Sequence, residues 1–296
     1  MLNRVTNLTM SANAQRTLQT QQSRLSELQE KATTLNKISR PSDDPAATAK
    51  ALETRSLLAA NAQYARNIDD GNTWLTAADS ALEQATNVMH RVKDLNVLAG
   101  NGSLPKSGKD AIANELDSLN KELVAIANTK HLGRNIFAGN SDEPKSFSDA
   151  MPPDFKGAGV SPVERRFSAT QTVRVDADGQ KIFGSGPDSV FAAIKSVADS
   201  LRAGTAPTSS QLGDVEARFI SIVDGRAEVG TSQAQLERAG NVNTELEATL
   251  DAQRTGIEKA DLGSVIMELK LQETNYQVAL AATARVLQPT LMDFLR

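Results

Sequence analysis

The feature that most limits the fold of this chain is an apolar heptad stripe at each end. Near the N-terminus, Leu18 and Leu25 lie seven residues apart, and Leu28 and Leu35 extend the stripe in the same frame. The C-terminal stripe consists of Ile266, Leu269, Tyr276, Leu280 and Leu287. This spacing lines up apolar side chains along one narrow seam of a helix, as in a coiled coil. The two ends are therefore predicted to pair as antiparallel helices.

Aromatic residues are scarce, and this limits the kind of core that the chain can build. Its 296 residues include 8 Phe, 2 Tyr and 1 Trp. Burial must then depend on aliphatic side chains, which suits helices that meet along seams. The predicted fold class is mainly α: paired N- and C-terminal heptad helices plus a long helical bundle, with a small β-rich insertion.

The middle of the chain carries further helical periodicity. Apolar residues step by three and four on both sides of the turn G-N-G-S-L-P-K-S-G, which predicts a helical hairpin. These residues are Leu75, Ala78, Leu82, Ala85, Met89 and Val92, then Ile112, Leu116, Leu119, Leu123 and Ile126. Helical sequence resumes at residue 188 and continues from about residue 211 toward the C-terminus. Trp74 is interpreted as a packing anchor.

Residues 141–187 differ in composition from the rest of the chain, with clustered prolines and glycines and no helical periodicity. Residues 167–175 alternate in polarity, and D-A-D-G leads into Ile182 and Phe183, so two strands around a turn are predicted. Three domains are expected. Residues 1–43 and 256–296 form a terminal coiled coil, 44–140 and 188–255 a helical bundle, and 141–187 a small β-rich domain.

Charge and composition argue against several functions. The formal net charge is −4 and no basic block occurs, which argues against nucleic-acid binding and anionic-membrane binding. No apolar run reaches the roughly 18 residues that cross a bilayer, and the first residues lack the apolar core of a cleaved signal peptide. The chain has no cysteine, so disulfides and thiolate metal sites are excluded. No catalytic, cofactor or metal site is expected, and neither is membrane insertion.

Residues 40–46, R-P-S-D-D-P-A, separate two helical stretches and are predicted to form an inter-domain joint. The first helix should end before Pro41, because residues preceding proline avoid helical backbone angles. Pro45 suits the first position of the next helix, with Asp44 as its N-cap and Asp43 near the positive end of its dipole. A calcium loop would need more oxygen ligands than A-A-T-A-K supplies.

Apolar residues near the ends are not confined to the two stripes. Further ones are Leu8, Met10, Ile38, Val265, Leu271, Val286, Leu291 and Phe294. One antiparallel pair of helices would leave part of this surface exposed, and exposed apolar surface drives association. The ends are therefore expected to be fully buried only among copies of the chain or related chains. An ordinary coiled coil within a monomer remains the alternative.

Four segments resemble one known family. They are L-N-K-I-S-R-P-S-D-D-P-A-A-T-A-K-A, N-I-D-D-G-N-T-W-L-T-A-A-D-S-A-L, G-R-N-I-F-A-G-N and the C-terminal stretch that begins A-D-L-G-S-V-I-M-E-L-K. These segments are similar to the bacterial flagellin superfamily. The S-D-D-P form is more similar to the members found at the junction between hook and filament than to flagellin itself. Residues 141–187 carry no motif of the family.

The resemblance implies an extracellular structural protein of the bacterial flagellum and no enzyme. Such a protein leaves through the flagellar type III export apparatus without a cleaved signal peptide and assembles as a homo-oligomeric ring. Its partners would be a neighbouring hook-associated protein and flagellin. A dedicated export chaperone would bind the C-terminal helix, along the stripe from Ile266 to Leu287, before assembly. Flagellin, the filament subunit, is the alternative function.

Other candidate sites are weaker. G-S-L-P-K-S-G-K-D at 102–110 resembles a phosphate-binding loop, but its glycine spacing is wrong and Asp110 replaces the magnesium-binding Ser or Thr. A cytosolic enzyme that uses this loop is the third hypothesis. His90 and His131 are interpreted as helix-surface or helix-end residues. Gly225 and Gly230 indicate either close helix contact or a bend, and Pro289 is expected to end the last helix.

Overall fold

The computed structural model describes residues 2–100, 104–158 and 161–287. Its helices are α1 (Leu2–Thr34), α2 (Pro45–Ala99), α3 (Lys106–Ala127), α4 (Gly179–Phe183), α5 (Val190–Arg202), α6 (Ser209–Glu258) and α7 (Leu262–Leu287). The strands are β1 (Lys130–His131), β2 (Arg134–Asn135), β3 (Glu164–Arg166) and β4 (Thr172–Arg174). The mainly α fold class is thereby confirmed. The loop at 101–103, Pro289 and the residues after it lie outside the described residues.

The chain forms two compact units. The terminal unit comprises residues 1–60 and 247–296, and the central unit comprises residues 61–246. Helices α2 and α6 contribute to both, each by part of its length.

The terminal unit contains the predicted antiparallel pair, formed by α1 and α7. Leu18, Leu25 and Leu28 lie on the less exposed side of α1, and Leu28 is buried. Gln272 Nε2 on α7 donates to the backbone oxygen of Gln21 at 3.2 Å and also to its side-chain oxygen. A polar contact within an apolar seam favours one register, because a shift would leave the buried Gln272 amide without its acceptors.

The central unit is a helical core in which the predicted hairpin residues are buried, except Leu119, which is partly buried against the same core. Leu82, Ala85, Met89 and Val92 on α2 and Leu116 and Leu123 on α3 belong to one apolar cluster. Helix α3 packs against α5, and Arg91 on α2 pairs with Glu115 on α3 at 2.6 Å. Trp74 is buried in the same cluster, as its interpretation as a packing anchor required.

Residues 141–187 contain two strands, the number predicted, but only one of them lies where it was predicted. Strands β3 and β4 pair antiparallel with Arg165 opposite Val173, which gives one two-stranded ribbon. The expected strand at Ile182 and Phe183 is wrong, because these residues belong to α4. Asp178 caps this helix by accepting a hydrogen bond from Lys181 N at 3.1 Å, and N-capping favours helix over strand.

An aromatic cluster joins residues 141–187 to the helices of the central unit. Phe147 is the hub, with ring centroids 5.3 Å from Phe155, 5.8 Å from Phe183 and 5.3 Å from Phe191. Phe137 packs edge-on against Phe183 at 5.2 Å. Edge-to-face packing of this kind adds to the energy of burial. Residues 141–187 thus share the apolar core of the unit rather than forming one of their own.

None of the described helices combines the length and the apolar character needed to cross a membrane.

Candidate self-assembly surface

The structure divides the predicted C-terminal stripe between two sides of α7. Leu269 and Tyr276 are partly buried on the side that faces α1. Ile266 is 51% exposed and Leu280 is 43% exposed, so the terminal unit covers only about half of each. The side chain of Leu287 lies outside the described residues.

The face of α7 that packs on α1 is centred on Val265 and Gln272, which are both buried. Sequence reasoning placed the seam on the largest apolar side chains and so missed Gln272. The hydrogen bond to Gln21 explains why a polar residue is tolerated there. A signal was present, since Gln21 itself falls on the α1 stripe, three residues after Leu18 and four before Leu25.

The outer side of α7 carries a second apolar stripe. Met267, Leu271 and Val278 are 71%, 63% and 62% exposed and follow each other at spacings of four and seven. At about 3.6 residues per turn they lie roughly opposite the buried face. The charged pair Lys270 and Glu273, 3.0 Å apart, lies away from the centre of this stripe.

The outer side of α1 is polar by contrast. Its exposed residues include Arg16, Gln19, Ser23 and Glu27. Among the side chains of residues 9–34 and 262–285, it is therefore α7 that presents apolar surface on the side away from the pair. Burying that surface against another apolar helix would be favourable, by roughly 25 cal/mol for each Å² removed from water.

The first helix ends earlier than the predicted stripe. Helix α1 stops at Thr34, and Leu35 adopts a positive φ of 55° instead of continuing the seam. The cause is backbone pairing with the segment between α6 and α7. Ala260 N donates to Leu35 O at 2.9 Å and Lys37 N donates to Glu258 O at 2.7 Å. The chain thus leaves the helical conformation at residues 35–37 and at residues 258–260, where the two segments pair with each other.

Glu258 connects a third segment to this bridge. Its backbone oxygen accepts from Lys37 N, and its carboxylate accepts from Arg55 Nε at 2.6 Å. The hydrogen bond and charge of Glu258 raise the pKa of Arg55 above its ordinary value. The segment that follows α1 is therefore held together with α2 and α6 at the break.

The joint residues all lie within the terminal unit. Asp44 Oδ1 accepts a hydrogen bond from Ala47 N at 2.9 Å, and Pro45 is the first residue of α2. Asp43 has a different partner from the expected helix dipole. Its Oδ2 accepts from Ser39 N at 3.2 Å and from Arg40 N at 2.8 Å, which closes the turn around Pro41.

The competing site residues have structural partners. Lys109 Nζ donates to Gly204 O at 2.7 Å. The loop before Lys109 follows a helix, α2, whereas a phosphate-binding loop follows a strand. His90 lies on α2, as expected, and its ring centroid is 5.0 Å from that of Phe219. The helix-end position expected for His131 is wrong, because His131 belongs to β1, where its ring centroid is 5.4 Å from that of Trp74.

Metal-ligating side chains do not gather within the described ranges. No group of three or more His, Asp or Glu residues there converges on a point that could hold a metal ion.

Gly225 and Gly230 differ although they lie on the same helix. A Cβ on Gly225 would come within 2.5 Å of Ile182 Cγ1, whereas a Cβ on Gly230 would have no neighbour within 4 Å. Helix α6 is continuous through both. Gly225 therefore marks a close contact between α6 and α4.

Family comparisons agree with this architecture. The model of the bacterial flagellin N-terminal helical region matches residues 5–142, and that of the flagellin C-terminal helical region matches residues 212–295. The flagellar hook-associated protein 3 of Escherichia coli K12 is 25% identical over 279 residues, which cover 86% of this chain and 87% of that protein. Flagellin C of Vibrio cholerae is 37% identical, but over only 70 residues, 24% of this chain and 19% of that protein.

Solved structures show the same fold. Bacillus cereus FlgL superposes with a TM-score of 0.60 at 23% identity, covering 69% of this chain and 99% of that one. The flagellar hook-associated protein 3 of Legionella pneumophila gives a TM-score of 0.63 at 14% identity, covering 69% and 98%. With flagellin models matched at both ends and relatives aligned along most of its length, the chain belongs to the bacterial flagellin superfamily and is similar to its hook-associated protein 3 members.

Proposed function

We propose that the chain is a structural subunit of the bacterial flagellum that forms the junction ring between hook and filament. The similarity to hook-associated protein 3 extends over most of both chains, whereas the similarity to flagellin C covers about a fifth of that protein. The structural observation that carries the proposal is the exposed stripe of Met267, Leu271 and Val278 on α7.

This stripe supports assembly because the terminal unit does not cover it. Three large apolar side chains at spacings of four and seven suit a seam with another helix. Ile266 and Leu280 add exposed apolar surface on a neighbouring side of α7. Copies of the chain, and the adjoining hook-associated protein and flagellin, would bury this surface when the terminal helices assemble.

The proposed layers follow the predicted domains. Residues 1–43 and 256–296 form the inner tube, the helical bundle surrounds it, and residues 141–187 face outward. The subunit is exported unfolded through the flagellar type III apparatus, and an export chaperone covers the C-terminal helix until assembly. The lack of cysteine supports this route, because no disulfide can lock the chain before it passes the channel.

Two variants test the role of the α7 stripe. Leu271→Glu places a charge on the outer side of α7, and Gln19→Glu places one on the polar outer side of α1 as the matched control. We expect the first to remain monomeric in sedimentation velocity at concentrations where the wild type and the control assemble. Assembly of Leu271→Glu at the wild-type concentration would exclude the stripe from the interface.

Hydrogen exchange gives a second readout. Residues before Pro41 and after Ala260 should exchange amide hydrogens rapidly in the monomer and slowly in the assembly, since the monomer leaves their helices partly uncovered. Strong protection of both ends in the dilute monomer would contradict the proposal.

The filament-subunit alternative predicts a different product. When purified protein is added to isolated hooks, a junction subunit should form a short collar, whereas a filament subunit should extend into long fibres. Electron microscopy of the hook ends distinguishes the two, and long fibres would replace the junction assignment by flagellin.

A further inference from the structure

The hairpin of β1 and β2 ends in an exposed leucine that its backbone disfavours. Lys130 pairs with Asn135 and His131 with Arg134, so Leu132 and Gly133 form a two-residue turn. Their φ values are 49° and 82°, a combination that favours Asn or Gly at the first position. Leu132 is nevertheless 80% exposed, so burial within the chain does not offset the strain. Strain of this kind, kept at an exposed position, indicates a role beyond folding.

Two basic residues flank this leucine. Lys130 precedes it by two residues and Arg134 follows it by two, and both are exposed. Arg134 Nη2 donates to Asn140 Oδ1 at 3.1 Å, which steadies its position at the base of the turn. Arg134 Nη2 also lies 3.9 Å from Asp142 Oδ1, so its charge is partly balanced within the chain. The hairpin tip is therefore an apolar side chain beside the positive charge of Lys130.

One face of α6 has the opposite pattern. Ile220 is 49% exposed and Val223 is 40% exposed. Glu216 lies one turn before Ile220 and Asp224 one turn after it, so the three side chains form a row along the helix. Glu216 pairs with Lys93 at 2.7 Å yet keeps 47% of its side chain exposed. This face presents an apolar patch between two acidic residues.

We propose that the Leu132 tip of one copy docks on the Ile220 face of α6 in a second copy. Both surfaces belong to the central unit and both are exposed, so they do not cover each other within a chain. The apolar centres match, and the basic Lys130 of the tip meets the acidic Asp224 of the helix. The inference rests on the proposed ring and names a contact within it.

This contact joins two different patches, which decides the kind of assembly. A heterologous contact leaves each subunit with one free donor patch and one free acceptor patch, so subunits add head to tail until a ring closes. If two copies instead exchanged tips, each tip docking on the other copy's α6 face, both patches would be used up and assembly would stop at a dimer.

Disulfide trapping tests the contact in the full-length chain. The protein has no cysteine, so Leu132→Cys in one sample and Ile220→Cys in another introduce single, unambiguous thiols. The two are mixed in equal amounts, assembled and mildly oxidised. A disulfide requires Cβ atoms about 3.5–4.5 Å apart, so trapping reports direct contact. Val242→Cys, exposed on the same helix, replaces Ile220→Cys in the control.

The expected result is a 132–220 linked dimer at about ten times the yield of the 132–242 pair, as close contact requires. The chain could assemble in sedimentation velocity and still give equal yields of the 132–220 and 132–242 disulfides. That result would overturn the contact but not the proposed function. If neither assembly nor linkage occurs under any condition, both the contact and the proposed function are wrong.

Three further substitutions separate recognition from folding. Lys130→Glu should lower the 132–220 yield about tenfold, and Asp224→Lys in the partner sample should restore it by reversing the charge pair. Leu132→Asn suits the positive φ, so it should keep or raise the unfolding midpoint while it weakens assembly. A Leu132→Asn chain that assembles like the wild type, or a charge reversal that restores nothing, would refute the docking.

Discussion

Asn61 and Asn243 form a reciprocal clamp between α2 and α6. Asn61 Nδ2 donates to Asn243 O at 3.0 Å, and Asn243 Nδ2 donates to Asn61 O at 3.1 Å. Both residues are buried. A shift of either helix by one turn would break both bonds and leave two buried amides without partners, so the clamp fixes the register of the two helices.

Asn61→Ala should lower the free energy of unfolding by about 1–3 kcal/mol, because it removes one of these bonds and its donor. Urea unfolding followed by the fluorescence of Trp74, the single tryptophan, measures the change in the central unit. Asn241→Ala, at an exposed position on α6, is the matched control and should change little. Equal effects of the two substitutions would mean that the clamp adds no stability.

Alanine at the two glycines of α6 should have opposite effects. Gly225→Ala would force a Cβ against Ile182 and destabilise the unit by about 1–3 kcal/mol through overpacking. Gly230→Ala meets open space and should stabilise the helix by up to about 1 kcal/mol. Thermal unfolding of the two variants beside the wild type gives the comparison. Unfolding midpoints that shift in the same direction would contradict the close contact at Gly225.

Phe147→Ala should be among the most damaging single substitutions in the central unit. It removes the hub of the aromatic cluster and leaves a cavity, with an expected loss of about 3–5 kcal/mol. Met151→Ala, at an exposed position nearby in the chain, is the control. Chemical denaturation should show the loss, and a loss below about 1 kcal/mol would mean that residues 141–187 are not anchored through this ring.

Asp44→Ala should loosen the start of α2, because Ala47 N would lose its capping oxygen, at a cost of about 1 kcal/mol. Asp44→Asn keeps an oxygen in the same place and is the matched control. Faster amide exchange at Ala47 in the alanine variant, with little change in the asparagine variant, is the expected pattern. Equal protection of Ala47 in both variants would show that the cap is dispensable.

Periodicity in the sequence was sufficient to predict the helices, and also their buried faces where the large apolar residues of a helix all lie on one side. Leu82 and Leu123 lie in the core as their three-and-four spacing requires, and the mainly α class follows from such patterns. The α1 stripe was predictable for the same reason up to Leu28. Local chemistry also identified the capping role of Asp44, since few residues satisfy a helix N-terminus so well.

Features that depend on a partner segment were harder to predict. Leu35 leaves its helix because its carbonyl pairs with Ala260, which lies far away in the sequence. Gln272 faces α1 because its amide donates hydrogen bonds to Gln21. A stripe that is identified from hydrophobic residues alone cannot include this glutamine. The α4 helix was missed because alternation near Phe183 extends over too few residues to distinguish strand from helix.

The paired breaks at residues 35–37 and 258–260 have a consequence for how chains of this kind can change in length. One residue gained or lost at either break would rotate the adjoining helix by about 100° about its axis. Leu25 or Leu269 would then turn away from the opposite helix. Insertions and deletions at the two breaks should therefore appear together among related chains, as compensated pairs, while the loop at 205–208 varies freely.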